Sequence, residues 1–205
     1  MDSSARHTVI AITGGPCAGK TSAIEVLRKR LDGSHVQAVF VPEAATELIL
    51  SGIAPWTCES MLEFQTHVIQ LQLKREFSAH VQAAENNAVI ICDRGICDSR
   101  AYLSGEDYRI ALKANAIDHK QALARYDAVF HLDTIAKDDP SAYTKANNKA
   151  RFENAQEAVL ANERVIGAWS EHPSLRVIGN SERFEEKADA LFEAILRTVC
   201  SPAHD

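Results

Sequence analysis

Eight consecutive residues carry the clearest chemical pattern in the sequence. Gly14-Gly15-Pro16-Cys17-Ala18-Gly19-Lys20-Thr21 fits the spacing G-x-x-x-x-G-K-[ST]. Glycines at these positions let successive backbone N–H groups turn inward and form a concave anion nest. The helix that opens at the end of such a loop adds unpaired donors and a partial positive charge. Lys20 can then reach the β- and γ-phosphates of a nucleotide, while the Thr21 hydroxyl can hold Mg²⁺. Ser22, next in line, joins the expected nucleotide contacts. Further on, an apolar run ends in Asp93, a carboxylate at the tip of a predicted strand. In a parallel sheet the strand tips meet at one edge, so Asp93 is expected to face the loop and position Mg²⁺ or its water.

The residue after Asp93 narrows the chemistry. ATPases of the AAA type usually place Glu there to activate water, but this chain has Arg94. Asn148-Lys149-Ala150-Arg151 stops short of a guanine-reading motif, with Arg where Asp is needed. The acid–Arg pair, with a basic lid, resembles the small-molecule kinase branch of P-loop proteins. Asp93-Arg94-Gly95, with Asp98 and Tyr102-Leu103, resembles the AAA-like family that includes the ribosylnicotinamide-kinase domain of bifunctional NAD-regulator proteins. Val41-Pro42-Glu43-Ala44-Ala45 and Glu47-Leu48-Ile49 resemble that family's second-strand motif. The Pro-Glu pair and Phe64-Gln65 are also similar to elements of deoxynucleoside kinases, in which the glutamate sits beside the accepting hydroxyl and the amide reads a nucleobase.

That resemblance implies a three-layer α/β P-loop NTPase fold with a five-stranded parallel sheet and a helical lid over about residues 134–151. It also implies transfer of the γ-phosphoryl of ATP, with Mg²⁺, to a small hydroxylic acceptor. Lys20, Glu43, Asp93, Arg94 and Arg151 are the expected catalytic residues, Glu43, Gln65 and Arg94 the acceptor contacts, and Thr21 and Asp93 the metal contacts. Several roles stay open. Glu43 can take the acceptor's proton or simply be a helix N-terminal acid, and Asp93 competes for the base role. Arg151 has Lys145 and Lys149 as rivals in the lid. Asn180 falls where related kinases touch the adenine. Between Glu43 and Val89 only Lys74 and Arg75 are basic, which favours a neutral acceptor such as a nucleoside over a phosphorylated one. The alternative from another class is a nucleotide-binding switch or ATPase that acts through a protein partner.

The elements that must carry these residues are legible from periodicity. Strands are expected at 8–13, 36–41, 88–93, 127–133 and 175–178. Helices are expected at 19–31, 43–50, 58–85, over stretches reaching about 125, up to about 169 and at 184–199. Strands that alternate with helices predict a parallel sheet covered on both faces. No repeat or linker divides the 205 residues, so one domain is expected. A net charge of −6 argues against non-specific nucleic-acid or membrane-surface binding. The longest apolar runs fall far short of a membrane span, and the polar, acidic start lacks a secretory core. A cytoplasmic protein is expected, with a homodimer compatible. The five cysteines are scattered, with no C-x-x-C pair, and read as reduced thiols. Trp56 and Trp169 are expected to pack in the core.

Overall fold

A strand can lie parallel to its sequence neighbour only if the chain crosses back over the sheet, and here helices make each crossing. The computed structural model describes residues 7–138 and 155–200. The elements run β1 (Val9–Gly14), α1 (Lys20–Asp32), β2 (Ala38–Val41), α2 (Ala44–Leu50), α3 (Met61–Asn86) and β3 (Val89–Asp93). A 3₁₀ segment at Ile96–Tyr102 leads to α4 (Gly105–Ala114), α5 (His119–Leu123) and β4 (Ala128–Leu132). A short 3₁₀ turn, Ile135–Lys137, follows, and then α6 (Ala155–Ala168), β5 (Leu175–Ile178) and α7 (Phe184–Cys200). The sheet has five strands in the order β2-β3-β1-β4-β5, all parallel. Ile12 lies opposite Asp93 and Gly14 opposite Leu132, so the tips of β1, β3 and β4 converge at one edge.

Alternation along β1 divides the core between two faces. Val9 and Ala11 pack on the side of α3 and α4, against Ile69, Leu112 and the fully buried Trp169. Ile10 and Ile12 pack on the other side, against Leu27 of α1 and Leu191 of α7. Helix α3 begins at Met61, later than the sequence predicts, because the Ser60 hydroxyl accepts the Glu63 N–H at 3.1 Å and caps it there. Trp56 departs from its expected place in the core: it is 77% exposed, on the loop between α2 and α3. The predicted lid is represented by residues 134–138, and its remainder lies outside the described residues. No helix among the described residues is long and apolar enough to cross a membrane.

Candidate active site

The loop between β1 and α1 owes its shape to close approaches as much as to backbone freedom. Gly19 caps α1 at φ 79°, a left-handed conformation, and a Cβ there would lie 2.9 Å from the Phe184 ring. A Cβ on Gly15 would lie 2.7 Å from that of Asn162. The loop residues Gly15 to Ser22, with Arg94 and Tyr102, bound a cavity of about 400 Å³. Gly14 stands behind it, its carbonyl accepting from Arg94 Nη1 at 3.2 Å.

Three side chains from distant segments brace this loop. Asn162 of α6 accepts the Gly15 N–H at 3.2 Å and the His131 Nε2–H at 2.9 Å on one oxygen, and donates from Nδ2 to Asp133 at 2.6 Å. The Gly15 N–H is therefore committed to the scaffold. Thr134 donates its hydroxyl to the Pro16 carbonyl at 2.5 Å. Lys187 of α7, only 5% exposed, donates to the carbonyls of Ala18 (3.0 Å) and Asp133 (2.6 Å) and to Asn180 Oδ1 (2.8 Å). Burial pulls its pKa down to about 8. Asn180, whose amide also donates to Thr134 O and Asp138, has its side chain held in this scaffold.

Lys20 leaves the loop toward Asp93, with Nζ 3.5 Å from Oδ1. Burial, then the Arg94 charge, lowers the Lys20 pKa, and burial raises that of Asp93. Asp93 Oδ1 is buried and accepts no hydrogen bond. An oxygen left in that state, in a hollow shared with Thr21 of the first turn of α1, suits a magnesium ion or its water, since Mg²⁺ typically takes one or two protein oxygens plus phosphate oxygens. A family model described as an AAA domain matches residues 9–187. The chain belongs to that family. No curated protein matches it. Membership carries P-loop NTPase character, and the loop, Lys20, Thr21 and Asp93 are the parts of this AAA domain that fit a nucleotide with Mg²⁺.

Beside the phosphate cavity of the AAA domain, Arg94 forms a hub. Its backbone takes φ 71°, uncommon for a residue with a side chain. Nε donates to Glu43 and Nη1 to Asp98 at 2.9 Å. Asp98 also accepts from Thr13 Oγ1, the Gly95 N–H and Trp169 Nε1, so its acceptor positions are filled. Glu43, at the N-cap of α2, is opposed by burial, but Arg94 and Lys20 hold its pKa down at about 2. Burial works against the Arg94 charge, and Tyr102, Asp98 and Glu43 outweigh it, so Arg94 stays a cation.

A second cavity, of about 210 Å³, opens on the far side of Arg94 and Tyr102. Apolar groups of Ala44, Pro55, Met61, Phe64 and Val68 line it, along with Gln65, which is 5% exposed. The structure thus gathers Lys20, Thr21, Glu43, Asp93, Arg94 and Gln65 at one sheet edge. Arg151, Lys145 and Lys149 lie outside the described residues. Sequence reasoning did not single out Asn162 and Lys187, each a lone polar residue on an amphipathic helix. The only hint was apolar spacing that places both positions on buried faces.

Proposed function

We propose that this AAA domain is an ATP- and Mg²⁺-dependent phosphotransferase that moves the γ-phosphoryl group to a hydroxyl of a small, neutral acceptor, such as a nucleoside. The observation that carries this reading is the second cavity. It shares Arg94 and Tyr102 with the phosphate cavity, which puts an acceptor within reach of the transferring group. Among the described residues its one cationic wall residue, Arg94, is already paired with two carboxylates, which suits an uncharged molecule. A hydrolytic AAA domain would need a carboxylate after Asp93 to activate water; Arg94 supplies a cation instead.

The loop's N–H groups and Lys20 would hold the β- and γ-phosphates and stabilise charge as it develops. Bound Mg²⁺, held by Thr21 and Asp93, would neutralise charge on the phosphate oxygens. Arg94, kept rigid by Glu43 and Asp98, would face the transferring phosphoryl from the acceptor side. A carboxylate with a pKa of about 2 has little proton affinity, so Glu43 would orient the acceptor hydroxyl by accepting its hydrogen bond. A loose transition state asks little of a base before the bond to phosphorus forms. Arg151 would add a lid cation.

The test is a screen of nucleosides, vitamins and sugars that scores ADP release with the intact chain. At least one neutral acceptor should raise the rate far above the water background, and Lys20→Ala should cut that rate by about 10²–10³. A flat rate across the whole screen would favour a nucleotide switch that acts through a protein partner.

A further inference from the structure

The acceptor cavity holds a second glutamine, Gln72, about two helical turns beyond Gln65 on the same face of α3. It is 3% exposed, and its amide orientation is fixed by its neighbours. Nε2 donates to Glu76 Oε1 at 3.0 Å and to the Arg94 carbonyl at 3.3 Å. A backbone carbonyl only accepts, so the nitrogen has to be the atom facing it. Glu76 is itself locked by Tyr126 Oη at 2.6 Å and Arg125 Nε at 2.6 Å, which removes the freedom to reverse the arrangement. Gln72 Oε1 accepts from no described residue, and it is the amide atom left to the cavity. Gln65 has no comparable lock. Its Nε2 meets only the Met61 sulfur, at 3.8 Å, so its amide can turn either way.

We propose that Gln72 is a specificity-determining residue of the acceptor cavity, a one-way hydrogen-bond acceptor that admits ligands presenting an N–H or O–H at that point and rejects those presenting a lone pair or a methyl group. The inference rests on the reading of this cavity as the acceptor site. Around it Asp98 has no acceptor capacity left, and Glu43, fixed by Arg94 and Thr46, has its remaining lone pairs engaged by the reacting hydroxyl. Gln72 therefore supplies the fixed polar contact in that part of the cavity, and Gln65 adapts to whichever ligand edge reaches it. A buried acceptor left without its donor is costly, so discrimination at this point is expected to be about 10- to 100-fold.

The experiment is calorimetric binding to the intact chain without nucleotide, so that it does not depend on transfer. Uridine and inosine are each compared with a ring N-methylated partner and with the 2′-deoxy partner. One of the two deletions should weaken binding by about 10- to 100-fold. The N-methyl arm identifies a base N–H as the donor, and the 2′-deoxy arm a sugar O–H. In Gln72→Met that ratio should fall close to one, with the donor-deleted partner bound as in the parent protein. A purely structural role would weaken both members of a pair alike. If Gln72→Met does not fold, Gln72→Asn, which withdraws the amide by one methylene, should show the same collapse of the ratio. An unchanged ratio in the variant, or no binding by either nucleoside, would overturn the proposal. Discrimination that depends on Gln72 without any phosphoryl transfer would sustain it and overturn the kinase reading alone.

Discussion

At the scale of single residues, the pairing of Glu43 with Arg94 sets how the site responds to acid. The folded-state pKa of Glu43, about 2, lies below its ordinary value of 4.5. The carboxylate therefore contributes stability that is present above the ordinary value and lost as pH falls toward 2. The side chain is 26% exposed, and the contribution is on the order of 2–3 kcal/mol. Urea melts should show the wild type losing this amount between about pH 5 and pH 2, and Glu43→Gln should lack that part of the loss. Because Glu43 stays ionised through the working range, its replacement should lower the height of the pH–rate profile without changing its shape. An acidic limb near pH 5 that vanished in Glu43→Gln would instead make Glu43 the general base.

At the scale of elements, the phosphate loop is a strand-to-helix turn held from behind by α6 and α7. Lys187 links three carbonyl-type oxygens and has a pKa of about 8. Between about pH 8 and 10.5 the unfolded chain keeps a proton that the folded chain has released, so folding stability rises with pH there. Over the same window the neutral amine has too few donors for its three acceptors, and the loop loosens. ATP affinity should therefore fall as stability rises. Calorimetric titrations and urea melts at pH 7 and pH 9.5 test whether the two move in opposite directions. Lys187→Met should bind ATP at least about 10-fold more weakly at pH 7, with a smaller further loss at pH 9.5 than the parent protein shows, the remainder coming from Lys20, whose pKa burial also lowers.

These braces also mark where sequence reading stops. Gly14 to Thr21 is legible because one short segment makes the whole nest, and its spacing alone fixes which atoms point inward. Asp93 is legible because an apolar run must end where the sheet meets solvent. Lys187, Asn162 and Asp98 each reach partners far off in the chain, 169 positions for Lys187 and the Ala18 carbonyl and 85 for Asp98 and Thr13. Nothing local distinguishes Lys187 and Asn162 from solvated polar residues, and Asp98 is marked only by its place in the pattern that follows Asp93. Gln72 is of the same kind: its orientation depends on Glu76, Tyr126 and the Arg94 carbonyl together. Trp56 shows the opposite failure, since the sequence predicts packing and the residue is 77% exposed.

At the scale of the whole molecule, the strand order places β1 between β3 and β4, and the site occupies the edge where their tips meet. A ligand that spans loop, β3 tip and α2 draws on most of the sheet for its support, so binding should be felt in global unfolding. ATP with Mg²⁺ at about 100 times its dissociation constant should stabilise the fold by roughly 2.7 kcal/mol. The fraction that depends on metal should be lost in Asp93→Asn while the metal-free fraction remains. Thermal melts with Mg²⁺ and with EDTA separate the two. Equal shifts in both conditions would remove Asp93 from any metal role.

The two tryptophans give the molecule a pair of separable optical reporters. Trp169 is fully buried and donates to Asp98, so its emission should be blue-shifted and insensitive to aqueous quenchers. Trp56, 77% exposed, follows Pro55, which lines the second cavity, so its emission should be red-shifted and readily quenched by iodide. An acceptor that settles against Pro55 should alter the red component alone, and Trp56→Phe should erase that signal while leaving the blue one. Emission recorded on the long-wavelength side of the band would then follow ligand arrival in real time, with no label and no turnover.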